Sequence, residues 1–424
     1  MWHSLKNKIQ LAGLLLLGLG FVYQTATPFF LSVGSITLGV SALIPPYSWK
    51  KNALAFVLIA LWLFNALSGF WSDNTSVWAQ VIMRQLALLL IPLAVLGGIN
   101  LKPTQWKNVH LSWVGISALF AVISLFRYLL HKEAIDLSLI ESGAIPIWDG
   151  VSVPWKLSAI SSSKFDNSGV NHIYFSIIQA AALLFCGFAW HASRKAIWLI
   201  LGIIHVICIH WFLARTGILA LYFAGALLFF KFCLQSANRK WMILLGIGFL
   251  LLPLISYFSF NAVQNKVKNS VADLQAISGQ RSINHRSLAM RVEAWKTASH
   301  IIQKNPFGVG IGDVDQAMAK QYEEDRTRLW MENRIPPHNQ YLETAVGSGI
   351  LPALLLISLL IAGIIQFWRK NELLRMSLFA CFLIALCFES ILQTQLGICL
   401  FPFILLFVKA PKAGETFPDP SDKS

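Results

Sequence analysis

The sequence predicts an all-α polytopic membrane protein of about twelve transmembrane helices, with a long outer loop containing amphipathic helices. Three observations carry that expectation. Of 424 residues, 56% are hydrophobic. Only 13% are charged, about half the share usual in a soluble domain, roughly 25%. The apolar residues also gather into long runs, and a hydrocarbon core about 30 Å thick needs roughly 20 of them in a helix. The same composition excludes a soluble enzyme, a disordered chain and a nucleic-acid-binding domain.

The expected spans fall near 9–25, 28–46, 52–71, 77–98, 108–129, 170–190, 195–213, 215–233, 241–258, 341–367, 376–393 and 395–409. No cleavage site for a signal peptide follows the first run. Short connections on one side carry basic pairs or triplets: Lys6 and Lys8, Lys50 and Lys51, Lys102 and Lys107, Arg194 and Lys195, then Lys231, Arg239 and Lys240, and Arg369, Lys370 and Arg375. The short connections on the other side carry Arg215 alone. Basic loops stay in the cytoplasm, so both termini are expected there. The net charge of +14 therefore marks topology before it marks a ligand.

Two longer stretches are expected outside, 130–169 and 259–340. In the second, Val263, Val267, Val271 and Leu274 recur at helical spacing, as do Val292, Trp295, Ser299 and Ile302. Such stripes fit amphipathic helices lying on a membrane face or over a cavity. The expected organisation is a nine-span bundle over 1–258, a large outer loop over 259–340, and C-terminal spans with a cytoplasmic tail over 341–424. Cys186, Cys208, Cys233, Cys381, Cys387 and Cys399 sit in apolar runs without CxxC spacing and read as small buried hydrophobes.

Ionisable groups near membrane depth are costly and mark candidate sites. Arg215 opens a span in "LARTGILALY" and suits an anion clamp, or snorkels to lipid phosphate. Arg291 stands four residues before Trp295 on one face of a loop helix, with Arg281 and Arg286 nearby. His338 follows two prolines in "RIPPHNQYLET", so its backbone is restricted. Its imidazole suits a general base, or an interfacial bond to a loop carbonyl. His172 starts a span on the same side. Arg84, Arg127 and Glu389 lie in or beside spans, where they line a cavity or pair. Glu343, one turn below His338, orients it or is simply solvated. A P-loop, HExxH, GxSxG, an outer acidic pair and a metal-ligand cluster are all missing from the sequence, so cations and one base, with no metal and no cofactor, are the expected chemistry.

Three strings together resemble one family. They are "RTGILAL" at a span start, "MRVEAWKTASHIIQKNPFGVGIGDV" in the outer loop, and "PPHNQYLETAVGSGIL" leading into the next span. With "FESILQTQLGICLFP" near the C-terminus, they resemble the O-antigen ligase and polymerase superfamily of bacterial inner membranes, over roughly 165–405. Two positions depart from its pattern: Gly347 stands where a glutamate is common, and Pro352 where a glycine is. The resemblance implies a periplasmic site that takes a glycan from undecaprenyl pyrophosphate and joins it to an acceptor sugar, with lipid A-core favoured. It implies catalytic roles for His338, Arg215 and Arg291. Arg286, His172, Asn339 and Glu389 are the expected contacts to pyrophosphate or glycan. The partners would be the lipid-linked donor, the glycan acceptor and the bilayer, and no nucleic acid. A polymerase and a protein O-oligosaccharyltransferase share the donor chemistry. A secondary transporter would need two homologous halves, and no such symmetry is visible.

Overall fold

The computed structural model describes residues 2–21, 27–45, 49, 51–130, 172–212, 215–235, 246–248, 251, 253–255, 257–258, 261–279 and 282–410. Among these every regular element is helical. The expected loop 130–169 lies almost wholly outside the described residues, and half of the expected span 241–258 lies outside them too.

The N-terminal helices are α1 (Trp2–Gly20), α2 (Thr27–Ser41), α3 (Ala53–Leu67), α4 (Thr75–Arg84), α5 (Ala87–Leu96) and α6 (Pro103–Leu130). Then come α7 (His172–Ser193), α8 (Ala196–Phe212) and α9 (Arg215–Gln235). A polar-faced group follows: α10 (Asn261–Ser278), α11 (Ser287–Lys304) and α12 (Val314–Glu324). The chain closes with α13 (Gln340–Ser348), α14 (Ile350–Arg369), α15 (Leu373–Phe388) and α16 (Gln395–Phe407).

Six stretches among the described residues are long and apolar enough to cross a bilayer: Ala53–Phe70, Thr75–Leu96, Pro103–Phe126, Ile173–Ser193, Thr216–Leu234 and Ile350–Arg369. Helices α2, α8, α15 and α16 are apolar but shorter. Three expected spans are interrupted. Residues 77–98 turn at 85–86, between α4 and α5. Residues 341–367 break at Gly349, whose φ of 103° favours glycine. Residues 376–393 leave the helix at Phe388, and Glu389 is extended. Apolar composition runs through all three breaks, which is why hydropathy alone joins them.

One apolar core unites the spans. Trp113, Phe185 and Trp198 lock α6, α7 and α8, with the Phe185 and Trp198 rings edge-to-face at 5.4 Å. Helix α9 runs antiparallel to α15, since Cys381 Sγ reaches Ala220 O at 3.4 Å and Lys231 reaches Trp368 O, just before α15 begins. Arg215 and Glu389 therefore lie at the same end of the bundle. Polar groups inside the core answer one another: His205 bonds Gln179, whose amide donates to Ser117 O.

A second, smaller core joins α10 to α13, built on Ala276, Ala294, Ala298, Ile301, Met318, Tyr322 and Val346. The stripe expected on α10 is turned away from this core. Val267, Val271 and Leu274 are exposed, and Asp273 and Ala276 are buried. Asp273 turns inward because its carboxylate accepts from Leu288 N and pairs with Arg286, fixing the start of α11. On α11 the fully buried face is Ala294, Thr297, Ala298 and Ile301, because α12 and α13 both cover it.

Candidate active site

The site forms where three chain segments converge on the first turn of α13. The first is α11, which presents Arg291 and, one turn on, Trp295. The second is the stretch before α13. Tyr322 donates to Ile335 O at 2.8 Å, and Trp295 Nε1 donates to Pro337 O at 2.7 Å. Asn339 must then be extended to cap α13, and its Oδ1 accepts from Tyr341 N and Leu342 N. One residue is left to join a pinned carbonyl to a helix cap. That residue is His338, held at φ 44°. A non-glycine residue there carries strain on the order of 1–2 kcal/mol, a cost that clusters at functional positions. The third segment is 388–393, where the chain leaves α15.

Glu389 joins the three. Its Oε1 lies 3.1 Å from His338 Nδ1, and its Oε2 lies 3.4 Å from Arg291 Nη2. Arg291 Nη1 also donates to Phe388 O, so the guanidinium spans the peptide and the carboxylate of consecutive residues. A carboxylate only accepts, so Nδ1 carries the ring hydrogen and Nε2 is left as the ring's accepting nitrogen. The His338 side chain is 30% exposed, Arg291 18% and Glu389 11%. The acid is thus sunk behind a base that still meets solvent. A carboxylate–imidazole pair of this kind orients a general base and steadies its protonated form.

Of the expected site residues, the fold brings together His338, Arg291 and Glu389. Asn339 stands beside them as the helix cap. Arg286 is turned away, with Nε on Ser282 O and a 3.6 Å contact to Asp273. Arg84 donates to Gln393 O at 2.9 Å. Arg215 and His172 open α9 and α7, and Gly217 packs against Ser176, so the two helix starts are adjacent. The side chains of Arg215, His172 and Arg127, and the whole of Arg281, lie outside the described residues. By the rung at Ala220, α9 begins about 7 Å further toward the end where Glu389 stands, at about 1.5 Å per residue.

Residues 179–357 match the family model described as O-antigen ligase. The matched segment is similar to the O-antigen ligase superfamily. Comparison with curated proteins gives no match. The family is one of membrane glycosyltransferases of the O-antigen ligase and polymerase type. Arg215, Arg291 and His338 fall inside the matched range, and Glu389 falls beyond it, joined to the O-antigen ligase segment by the fold alone.

Sequence reasoning missed what the glycines of "NPFGVGIGD" do. Val309 N and Gly310 N donate to Val346 O and Gly347 O, and Ile350 N donates to Pro306 O. A Cβ on Gly310 would stand 2.7 Å from Ser72, and one on Gly312 would stand 2.4 Å from Asn74 O. Asp313 completes the clasp, accepting from Ser72 Oγ, Asp73 N and Asn74 N at 2.7 to 2.9 Å. The segment therefore bolts the second core to the α3–α4 connection. The departure at Gly347 fits this packing, because a Cβ there would stand 3.1 Å from Val314 Cγ2.

Proposed function

We propose that the chain moves a glycan from undecaprenyl pyrophosphate to an acceptor sugar at the periplasmic face of the bacterial inner membrane, with lipid A-core as the favoured acceptor. The meeting of Glu389 with both His338 and Arg291 is the observation that supports this best. His338 Nε2 takes the proton of the acceptor hydroxyl as its oxygen attacks the anomeric carbon. The bond from that carbon to the pyrophosphate oxygen breaks, and the polyprenyl pyrophosphate leaves with the electron pair. Attack in line inverts the anomeric centre. Glu389 stabilises the imidazolium that forms.

Negative charge grows on the leaving oxygen, and arginine forks match phosphate geometry. Arg291 carries five N–H donors, and the hydrogens not turned to Phe388 O and Glu389 serve the phosphate. Arg215 supplies the second cation. His172 and Asn339 border the donor's path. The twelve-span topology, with both termini cytoplasmic, belongs to the same reading. The pyrophosphate link already stores the driving force, so no nucleotide enters.

The test is deletion of the gene in its host followed by separation of the lipopolysaccharide. Core without O-chains, with lipid-linked polymer accumulating, supports the ligase. Core bearing a single repeat makes the chain a polymerase. An unchanged lipopolysaccharide with a lost glycoprotein moves the acceptor to protein, and an unchanged envelope removes the transferase reading.

A further inference from the structure

A second acid stands behind Glu389. Glu343 lies in the first turns of α13 and is buried. Its Oε2 accepts from Ser390 Oγ at 3.3 Å, and Ser390 directly follows Glu389. On the same side of α13, Gln340 Oε1 accepts from Leu392 N at 2.6 Å, while its amide donates to Thr344 Oγ1. Tyr341 OH holds Leu383 O, near the end of α15. Helix α13 thus grips the chain at Ser390 and Leu392, on the downstream side of Glu389.

The transfer chemistry above makes no use of Glu343. Its neighbours do not neutralise it either. Asp315 of α12 and Glu389 are the charged groups facing it, and both are acids. Glu343 also lines a small cleft whose other polar members, Asn65 of α3, Gln340, Thr344, Ser348 and Gln393, carry no titratable group. Ser348 Oγ bonds Asn65 Oδ1 at 2.6 Å, which ties this cleft to α3.

We propose that Glu343 is a positioning residue for the transfer site: through Ser390 it sets where Glu389 stands between Arg291 and His338. The inference rests on the reading of that trio as the transfer site. Burial above all, then the charges of Asp315 and Glu389, push the Glu343 carboxyl up to about 7, against the Ser390 hydrogen bond. When protonated, Glu343 still accepts from Ser390 and adds no charge behind Glu389. When ionised, it sets a second negative charge against Glu389, and the two repel across Ser390. The seat is therefore complete below about 7 and is lost as pH rises through that value. Because the folded value lies above the ordinary 4.5, the contribution of Glu343 to folding stability also falls as pH rises between the two.

The experiment measures transfer from a lipid-linked glycan in proteoliposomes, for the wild type, Glu343→Gln and Glu343→Ala, between about pH 6 and about pH 8.5, a range that brackets the titration. Glutamine keeps the volume and an oxygen for Ser390 and never ionises. The Gln-to-wild-type rate ratio is expected near one at about pH 6 and at about five- to tenfold by about pH 8, where a carboxyl titrating near 7 is about nine-tenths ionised. Taking the ratio removes whatever pH dependence the two proteins share. Glu343→Ala is expected to lower kcat about tenfold with the donor KM changed less than about twofold, the pattern of a lost positioning contact. A ratio flat with pH in an active wild type overturns the positioning role and leaves the transfer site standing. Should the alanine variant fail to fold, the glutamine ratio decides alone. A wild type inert with every lipid-linked donor overturns the transfer reading, and this inference with it.

Discussion

Two irregular stretches grip α13 from opposite ends, and they do so by different means. Residues 305–313 meet its C-terminal end through backbone, with glycines that let Val309 and Gly310 pair with the carbonyls of Val346 and Gly347. Residues 388–393 meet its N-terminal end through side chains: Glu389 on His338, Ser390 on Glu343, and Leu392 N on Gln340. The first stretch contributes shape and the second contributes charge. In sequence both read as conspicuous motifs, yet only the second touches the candidate base. A motif rich in glycine and ending in an acid is here a clasp, because Asp313 holds Ser72 Oγ, Asp73 N and Asn74 N of the α3–α4 connection.

That division yields an ordered set of tests. The largest expected effect is on the charged side. His338→Ala should reduce transfer by about 10²- to 10⁴-fold, the usual worth of a general base, or roughly 3–5 kcal/mol of barrier. The melting temperature in detergent should stay near wild type. Transfer at the wild-type rate would make His338 part of the frame as well. Next comes the clasp. Asp313→Ala leaves a buried hydroxyl and two backbone N–H groups without their acceptor, and should cost about 2–4 kcal/mol of stability, read by thermal or denaturant unfolding. The donor KM of the protein that does fold should be unchanged, and a raised KM would give Asp313 a place in the site.

Glu389→Gln should follow, with kcat down about tenfold, roughly 1.4 kcal/mol. The amide keeps an acceptor for Nδ1–H and loses the charge that steadies the imidazolium. A rate equal to wild type would reduce the acid to a hydrogen-bonding spacer. The smallest effect belongs to Asn339→Ala, which removes the N-cap of α13 and should cost about 1 kcal/mol. This variant sharpens the comparison most finely. Lost stability with an unchanged KM makes Asn339 a cap only, and a raised KM makes it a substrate contact too.

The candidate residues were visible in the chain because each is chemically expensive where it stands. Arg291 appears as a cation on a loop helix, His338 as an imidazole just before an apolar run, and Glu389 as an acid inside one. Their alliance was not visible, since 51 residues separate Glu389 from His338 and no local period links them. Asp313 was hidden for the same reason, with partners some 240 residues away, two of them backbone N–H groups. The breaks at Gly349 and Phe388 escaped notice because average hydropathy continues smoothly through them. Conversely, the stripe of Val267, Val271 and Leu274 was visible and faces outward, because Asp273 is needed inside to start α11.

Composition and the spacing of apolar runs were enough to establish a helical membrane protein, since burying a span in hydrocarbon is a local property of about 20 residues. Residue chemistry was enough to nominate a base and its cations. Three-dimensional packing alone decided which acid meets the candidate base, which arginine shares that acid, and which motif fastens the second core to the α3–α4 connection. A hydrogen bond depends on separations of about 3 Å in space, and chain distance carries almost no information about that.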